Sequence, residues 1–466
     1  MQFYLKVMRT TLDAFQIYKL IAKGKDYIFL DSSKEGLPYG HYSIMGANPF
    51  LTIKYANNCI YEKVAGGSFN PLGLNQNIFD YLNRKIGEYK IINPTDLPFI
   101  GGAIGYFSYD FACRLKLITK TQGNVITIPE VYFVFYDNAV IVDHDTGKVS
   151  ITGLGILRDA KKSVAALIHR IKTGEEIGEN QNSPKELVHT PFFKSNFSKS
   201  DYIKAVKMMQ SHIQEGDISL ANMTHTFSSR FQNNPQNAYE KLRMVNPAPF
   251  SAYLPLEGFY ALCSSPERFL KVRNRNIQTR PIKGTIARGA TLQEDEINKS
   301  ILENSEKERS ELSMIAELKR NDLIKICKPG TVEISEMFKI EAFASVFHLV
   351  STIVGVLKDN CTAVDCIEAV FPSGSITGRP KSRAMRVISE LERNQRNLYT
   401  GSIGYFGFDG NADFNIVIRS VLIKDNYAHI GVGGGITCKS DAQSEYNETI
   451  AKAIALFRSL EADYFI

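Results

Sequence analysis

The chain has 466 residues, 44% of them apolar, and a net charge of +6 in which Lys and Arg are interspersed with Asp and Glu. That length supports one large domain or two to three ordinary ones, and the dispersed charge excludes a nucleic-acid surface built on a long basic run. Seven cysteines (Cys59, Cys113, Cys263, Cys327, Cys361, Cys366 and Cys438), odd in number and without C-x-x-C spacing, fit reduced thiols and exclude a disulfide framework or a zinc site.

In chain order, the amino terminus "MQFYLKVMRTTLDAFQIYKL" lacks the uninterrupted apolar core of a secretory leader. No later stretch approaches the ~18 consecutive apolar residues of a membrane span, so the expected location is the cytoplasm, with no membrane partner. "YIFLDSS" reads as a strand, and "VYFVFYDNAVIVDHDTGKVSI" as two strands around a "DHDTGK" turn. "KTGEEIGENQNSPKE" loses apolar periodicity and reads as a linker, which divides the chain into 1–171, a connection over 172–192, and 193–466. Beyond it, "DYIKAVKMMQSHIQEG" has helical periodicity with a glycine stop, and "FSAYLPLEGFYALCSSPERFLKV" reads as strands around a turn. Helices and antiparallel strands mix without regular βαβ alternation, which predicts an α+β fold.

Four segments carry candidate chemistry. In "TRPIKGTIARG", Lys283 lies between a proline-started strand and a glycine. It reads either as an exposed strand-end lysine or as a nucleophile, and the second role needs burial or positive charge, here expected from Arg280 and Arg288, to free its lone pair near pH 7. In "NSEKERSELSMIAELKRNDL", Met314, Ile315 and Leu318 form an apolar stripe with Glu311 at its seam. In "SDAQSEYNETIAKAIALFRSL", a Ser440/Asp441 cap opens a helix whose Glu445, Glu448 and Lys452 share one face. Carboxylates from two separate helices suit a hydrated Mg²⁺ ion, although each helix taken alone also reads as a solvated face. "GVGGGI", within 431–436, lacks the G-x-G-x-x-G spacing of a dinucleotide site and reads as a turn or as backbone exposed toward a substrate carboxylate.

Taken together, the ordered motifs "GDISLANMTHTF", "NPAPFSAYL", "SSPERFL", "RPIKGT", "FHLVST", "FPSGSITGRPKSRAM", "GSIGYFGFDG" and "GGGI...SEYNETIAKA" resemble the chorismate-utilising enzymes. That family includes anthranilate synthase and aminodeoxychorismate synthase component I, isochorismate synthase and salicylate synthase. The amino-terminal half matches through "FLDSS...YSIMGANP" and "PFIGGAIGYFSYDFACRL". The resemblance implies a two-layer α+β fold with two antiparallel sheets flanked by helices. It also separates the chemistries at one position: P-I-A-G-T is typical of anthranilate synthases and P-I-K-G-T of aminodeoxychorismate synthases. The isochorismate synthases' general base falls at Leu220, where other aminating members generally have glutamine.

The roles implied by resemblance are Lys283 as nucleophile and Glu267 as acid, with Mg²⁺ on Glu311 and Glu448 and with Glu445 nearby. Arg419, Tyr405, Gly433, Gly434, Lys452, Ser375, Thr377 and His348 would bind chorismate, and Asp31, Ser32 and Ser43 would border a regulatory pocket. Arg379 stands where the family usually has a small residue. No G-x-C-x-G nucleophile elbow occurs, so ammonia is expected from a separate glutamine amidotransferase subunit. The implied product is 4-amino-4-deoxychorismate, on the route to para-aminobenzoate and folate. The alternatives are anthranilate synthase component I and a paralogue that binds chorismate or an amino acid without turnover.

Overall fold

The computed structural model describes residues 2–33, 40–116, 118–119, 121, 123, 126–177, 190–342 and 346–463. Of the expected linker, residues 172–177 end the helix Ala160–Ile177, and 178–189 lie outside the described residues. The fold is α+β with antiparallel ladders throughout the named strands. Two long strands, Tyr42–Ala56 and Val131–Asp143, pair along twelve register positions and act as the spine. One wing leaves the spine through Phe29–Asp31, Phe250–Leu256, Phe259–Ser265, Ser420–Lys424, Tyr427–Ile436 and Leu220–Arg230. The other leaves through Gly102–Phe107, Ser402–Gly407, Ala412–Asn415, Arg268–Arg273, Asn276–Thr279 and Val346–Val356, which also holds Ile282–Ala287 and Glu333–Ala342.

The packing follows from the period of two along each strand. Ala252, Leu254, Ala261 and Cys263 of the first wing meet Ile104, Tyr106, Ile403 and Tyr405 of the second in one core. The outer face of the first wing buries Met223, Phe227, Ile430 and Val432 against helices that include Lys199–Gln214, Pro235–Val245 and Ala442–Ser459. The outer face of the second, together with Phe133 of the spine, buries Phe269, Leu270 and Phe406 against Ile78–Glu88, Tyr109–Leu115, Glu306–Ile324 and Ala363–Val370. The result is one continuous antiparallel sheet whose two wings meet face to face as two layers, each flanked by helices.

Several local readings hold for identifiable reasons. The "DHDTGK" turn joins Val131–Asp143 to Lys148–Gly153 with Asp143 opposite Lys148. The helix Lys199–Gln214 is capped by Ser198 and stops before Gly216, whose φ of 82° lets Asp217 N–H return to His212 O. The stretches on either side of the expected linker are interleaved: Asp31 pairs with Ser251, and Phe107 with Ser402. Among the described residues, no helix is long and apolar enough to cross a membrane.

Candidate active site

Two crossovers between the wings fix the site. The chain leaves Phe259–Ser265 in the first wing and enters Arg268–Arg273 in the second through Pro266 and Glu267. It returns from Ala412–Asn415 to Ser420–Lys424 through Ile416 to Arg419, and Ile416 N–H donates to Glu267 O at 3.0 Å. Arg419 has a φ of 53°, a costly backbone for a non-glycine residue, consistent with a sharp change of direction between wings.

The glycine strand Tyr427–Ile436 forms the floor, with Asn222, Met223 and Thr224 opposite Gly435, Gly434 and Gly433. A methyl group on Gly435 would lie 3.3 Å from Lys283 Nζ and 3.5 Å from Leu220 Cδ1. One on Gly434 would lie 3.0 Å from Glu445 Oε2 and 4.0 Å from Lys452 Nζ. Bare backbone is therefore what lets the two lysines and the glutamate approach one surface. Gly433 has a different constraint, since a side chain there would strike Met223 O at 2.5 Å.

Lys283 enters from Ile282–Ala287, whose pairing is Lys283 with Leu349 and Thr285 with His348, with a bulge at Gly284. Arg280 and Arg288 do not surround the lysine with uncompensated charge as expected. Arg280 pairs with Glu341, and Arg288 with Asp295, its Nε lying 2.7 Å from Oδ1. Glu267 is 7% exposed, and Ser375 Oγ donates to its Oε1 at 2.9 Å. Burial raises its pKa above the ordinary carboxyl value, opposed by Lys319, the Ser375 hydrogen bond and Lys283. A carboxyl so placed keeps its proton to higher pH, as a general acid requires.

The acidic helices converge from the other side. Burial raises the pKa of Glu311, with Lys283 opposing and Glu448 reinforcing the shift. Burial likewise raises Glu445, whose Oε1 accepts from Ser440 Oγ at 2.7 Å. For Glu448, burial acts upward but Lys452, Lys283 and Lys307 outweigh it and hold the carboxyl low. Lys452 Nζ bonds Glu448 Oε1 at 2.6 Å and Gly433 O at 2.9 Å, and its own carbonyl accepts from Arg419 Nη1 at 3.3 Å. Glu311, Glu445 and Glu448 are spaced more widely than the one trio of ligand atoms within 4.8 Å among the described residues, His212, Glu215 and Asp217. Carboxylate oxygens are the donor type a hydrated Mg²⁺ takes, and in this arrangement one of the three, Glu448, is paired with Lys452.

Tyr405 is not part of this group. It shares the inward face of its strand with Ile403, its hydroxyl donates to Pro98 O at 3.1 Å, and it lines a separate cavity of about 270 Å³ with Asp31, Phe250, Arg268 and Asp413. The tyrosine beside Arg419 is Tyr399, whose phenol pKa is raised by burial and lowered by Arg396 and Arg419. A side chain on Gly431 would collide with the Tyr399 ring. The alternation Ile403/Tyr405 is the sequence signal that marks Tyr405 as core.

The remaining expected residues divide. His348 Nδ1 is 2.8 Å from Thr285 Oγ1, one bulge away from Lys283. Thr377 Oγ1 donates to Ser373 O at 2.8 Å, so this hydroxyl shapes the turn that presents Ser375. Asp31 accepts from Arg243 Nε at 2.7 Å and Ser43 Oγ at 2.8 Å, while Ser32 Oγ donates to Gly40 O. Arg379 is exposed and pairs through its backbone with Leu220.

The apolar stripe expected at Met314, Ile315 and Leu318 is rotated. The buried face of Glu306–Ile324 is Glu311, Leu312, Ile315, Ala316, Lys319, Asp322 and Leu323, because the helix packs its acid-bearing side against the strands. Lys319 was not expected in the site. Neither was Asn222, whose Oδ1 is buried without a hydrogen-bond partner and would touch a side chain on Gly433 at 3.0 Å.

Comparison with known proteins adds a direct match. A family model described as "chorismate binding enzyme" covers residues 25–458. Aminodeoxychorismate synthase component 1 of Salmonella typhimurium is 36% identical over 91% of this chain and 90% of its own length. Anthranilate synthase component 1 of Acetivibrio thermocellus is 32% identical over 96% of this chain and 92% of its own. The crystal structure of anthranilate synthase component I from Streptococcus pneumoniae superposes with a TM-score of 0.80 at 30% identity, covering 91% of this chain and 93% of that one.

Proposed function

Because the chain belongs to the chorismate-binding enzyme family, we propose that it is the chorismate-aminating component of an aminodeoxychorismate synthase. The observation that carries the reading is Lys283: its amine lies against the glycine floor, and its charge acts on the buried acid Glu267 and on the carboxylates Glu311 and Glu448. Covalent displacement requires a nucleophile and an acid that act on one substrate, and the charge of Lys283 reaches Glu267. The motif P-I-K-G-T and the relatives named as aminodeoxychorismate synthases support the same choice.

In this reading, Arg419 and Lys452 receive carboxylates of chorismate beside the bare backbone of Gly434. Lys283 adds through Nζ to C2 while Glu267 gives its proton to the departing C4 hydroxyl, which leaves as water. Ammonia then bonds to C4 as the C2–N bond breaks, returning the electron pair to Lys283 and leaving 4-amino-4-deoxychorismate. Glu311 and Glu448, with Glu445 beside them, would hold Mg²⁺, which when bound supplies Lewis-acid charge to the ring carboxylate. Ammonia would be delivered by a separate amidotransferase subunit.

The relatives named as anthranilate synthases favour a second reading, in which pyruvate is eliminated and the ring becomes aromatic. One incubation separates them: purified chain with chorismate, Mg²⁺ and ammonium at alkaline pH, with products identified by mass. A non-aromatic amine that retains its enolpyruvyl group supports the proposal. Anthranilate with equimolar pyruvate overturns it.

A further inference from the structure

Lys319 lies 4% exposed on the helix Glu306–Ile324, over the ring of Phe269 at 4.8 Å. A lysine this deep is costly unless its charge is compensated, yet its hydrogen bond goes to a hydroxyl and not to a carboxylate. Nζ donates to Ser373 Oγ at 2.6 Å, Ser373 Oγ lies 3.0 Å from Ser375 Oγ, and Ser375 Oγ donates to Glu267 Oε1 at 2.9 Å. The direction of this chain follows from its ends. An ammonium only donates, so Ser373 receives; Ser375 spends its one proton on Glu267, so it receives from Ser373.

We propose that Lys319 is a positioning residue for Glu267, acting through the one-way donor chain Ser373–Ser375 to occupy Oε1 and leave Oε2 to carry the proton that Glu267 gives to substrate. This deepens the reading above and rests on Glu267 being the acid. The physical reason is that a carboxyl with a donor fixed on one oxygen protonates on the other, which turns a floppy two-site acid into one with a single reactive edge.

Charge acts in the same direction. Three groups face Glu267: Lys319 from its helix, Lys283 from the opposite strand, and Ser375 from the turn Gly374–Ile376. Those facing Lys319 are Glu267, Lys381 and Asp322, and burial brings the lysine down to about 8. Lys319 is the first of the groups that oppose the upward effect of burial on Glu267, so it keeps the acid from holding its proton too tightly to release it.

The test compares wild type, Lys319→Met and Ser373→Ala by three readouts: kcat and KM for chorismate consumption, thermal melting, and titration of the Glu267 carboxyl by infrared difference against Glu267→Gln. Lys319→Met should lower kcat at least about tenfold with KM within about threefold, and move the Glu267 titration upward by about one pH unit. Its melting temperature should be equal or higher, because a buried charge has been replaced by an apolar chain of similar volume. Ser373→Ala keeps the lysine charge but cuts the donor chain, so it should lower kcat by a smaller factor.

Unchanged kcat and unchanged Glu267 titration in both variants would overturn the proposal. So would a Lys319→Met protein that melts lower while the folded fraction turns over as fast as wild type, since that is the mark of a purely structural lysine. A wild type that turns over no chorismate, with the Glu267 titration still dependent on Lys319, would overturn the functional reading and leave the coupling standing.

Discussion

Two charged regions of the molecule differ in how their charges are matched. Around the cavity that holds Asp31, two strong charges have fitted partners: Asp31 accepts from Arg243, Ser43 and Tyr239, and Arg268 grips Asp413 through Nε at 2.9 Å and Nη2 at 3.0 Å. Across the lysine cleft the matching is incomplete. Glu267, Glu311 and Glu445 are raised by burial, and Lys319 and Lys452 are lowered by it. Fitted pairs hold sheets together; carboxyls and amines kept near their protonation boundary are what proton transfer and metal capture use.

The largest effect expected from breaking this contrast is at Lys283. Lys283→Ala should abolish amination and remove any mass adduct on the peptide carrying residue 283, while chorismate affinity stays within about tenfold. Equal turnover in the variant would place the nucleophile elsewhere.

Next in size, Glu311→Gln or Glu448→Gln should eliminate Mg²⁺-dependent chorismate binding, because each removes one anionic oxygen from a set of three. Titration calorimetry with and without Mg²⁺ reads this directly, and undiminished binding in both variants would reduce the glutamates to ordinary charges of the cleft.

On the matched side the effect should be on stability alone. Asp31→Asn leaves the largely buried guanidinium of Arg243 with only the exposed Asp13, at 3.8 Å, and should cost about 3 kcal/mol in urea unfolding. Turnover per folded molecule should be unchanged; a large loss of kcat would mean that this region takes part in the chemistry.

The smallest effect sharpens the comparison through pH. The folded pKa of Glu267 is raised, so above the ordinary carboxyl pKa of about 4.3 the folded state holds a proton that the unfolded chain has released. Its contribution to stability is therefore full below that value and declines as pH rises through the folded pKa. Glu267→Gln cannot ionise, so its stability relative to wild type should grow with pH across that window. A constant difference between the two unfolding curves would show that Glu267 is not raised.

The lysine motif, the two acidic helices and the glycine strand were legible because each is local. Asp441 caps its helix through Ser444 N–H at 2.8 Å, and Glu445, Glu448 and Lys452 share a face by helical period alone. Lys319 was not legible. In "AELKRNDL" it is one charge among four, and only the rotation of the helix against the strands turns it inward while Met314 and Leu318 come nearer the surface.

By itself, then, the sequence determined which chemical groups exist and which are neighbours within one element, since capping, periodicity and turn chemistry act over a few residues. The tertiary structure alone decided which of those groups meet. It drew Arg280 and Arg288 away to Glu341 and Asp295, set Tyr399 beside Arg419 while Tyr405 filled the core, and joined Lys319 to Glu267 across two serines. These pairings depend on two wings of the sheet meeting face to face and on crossovers that place Glu267 and Arg419 at their seam, an arrangement set by burial of both inner faces together.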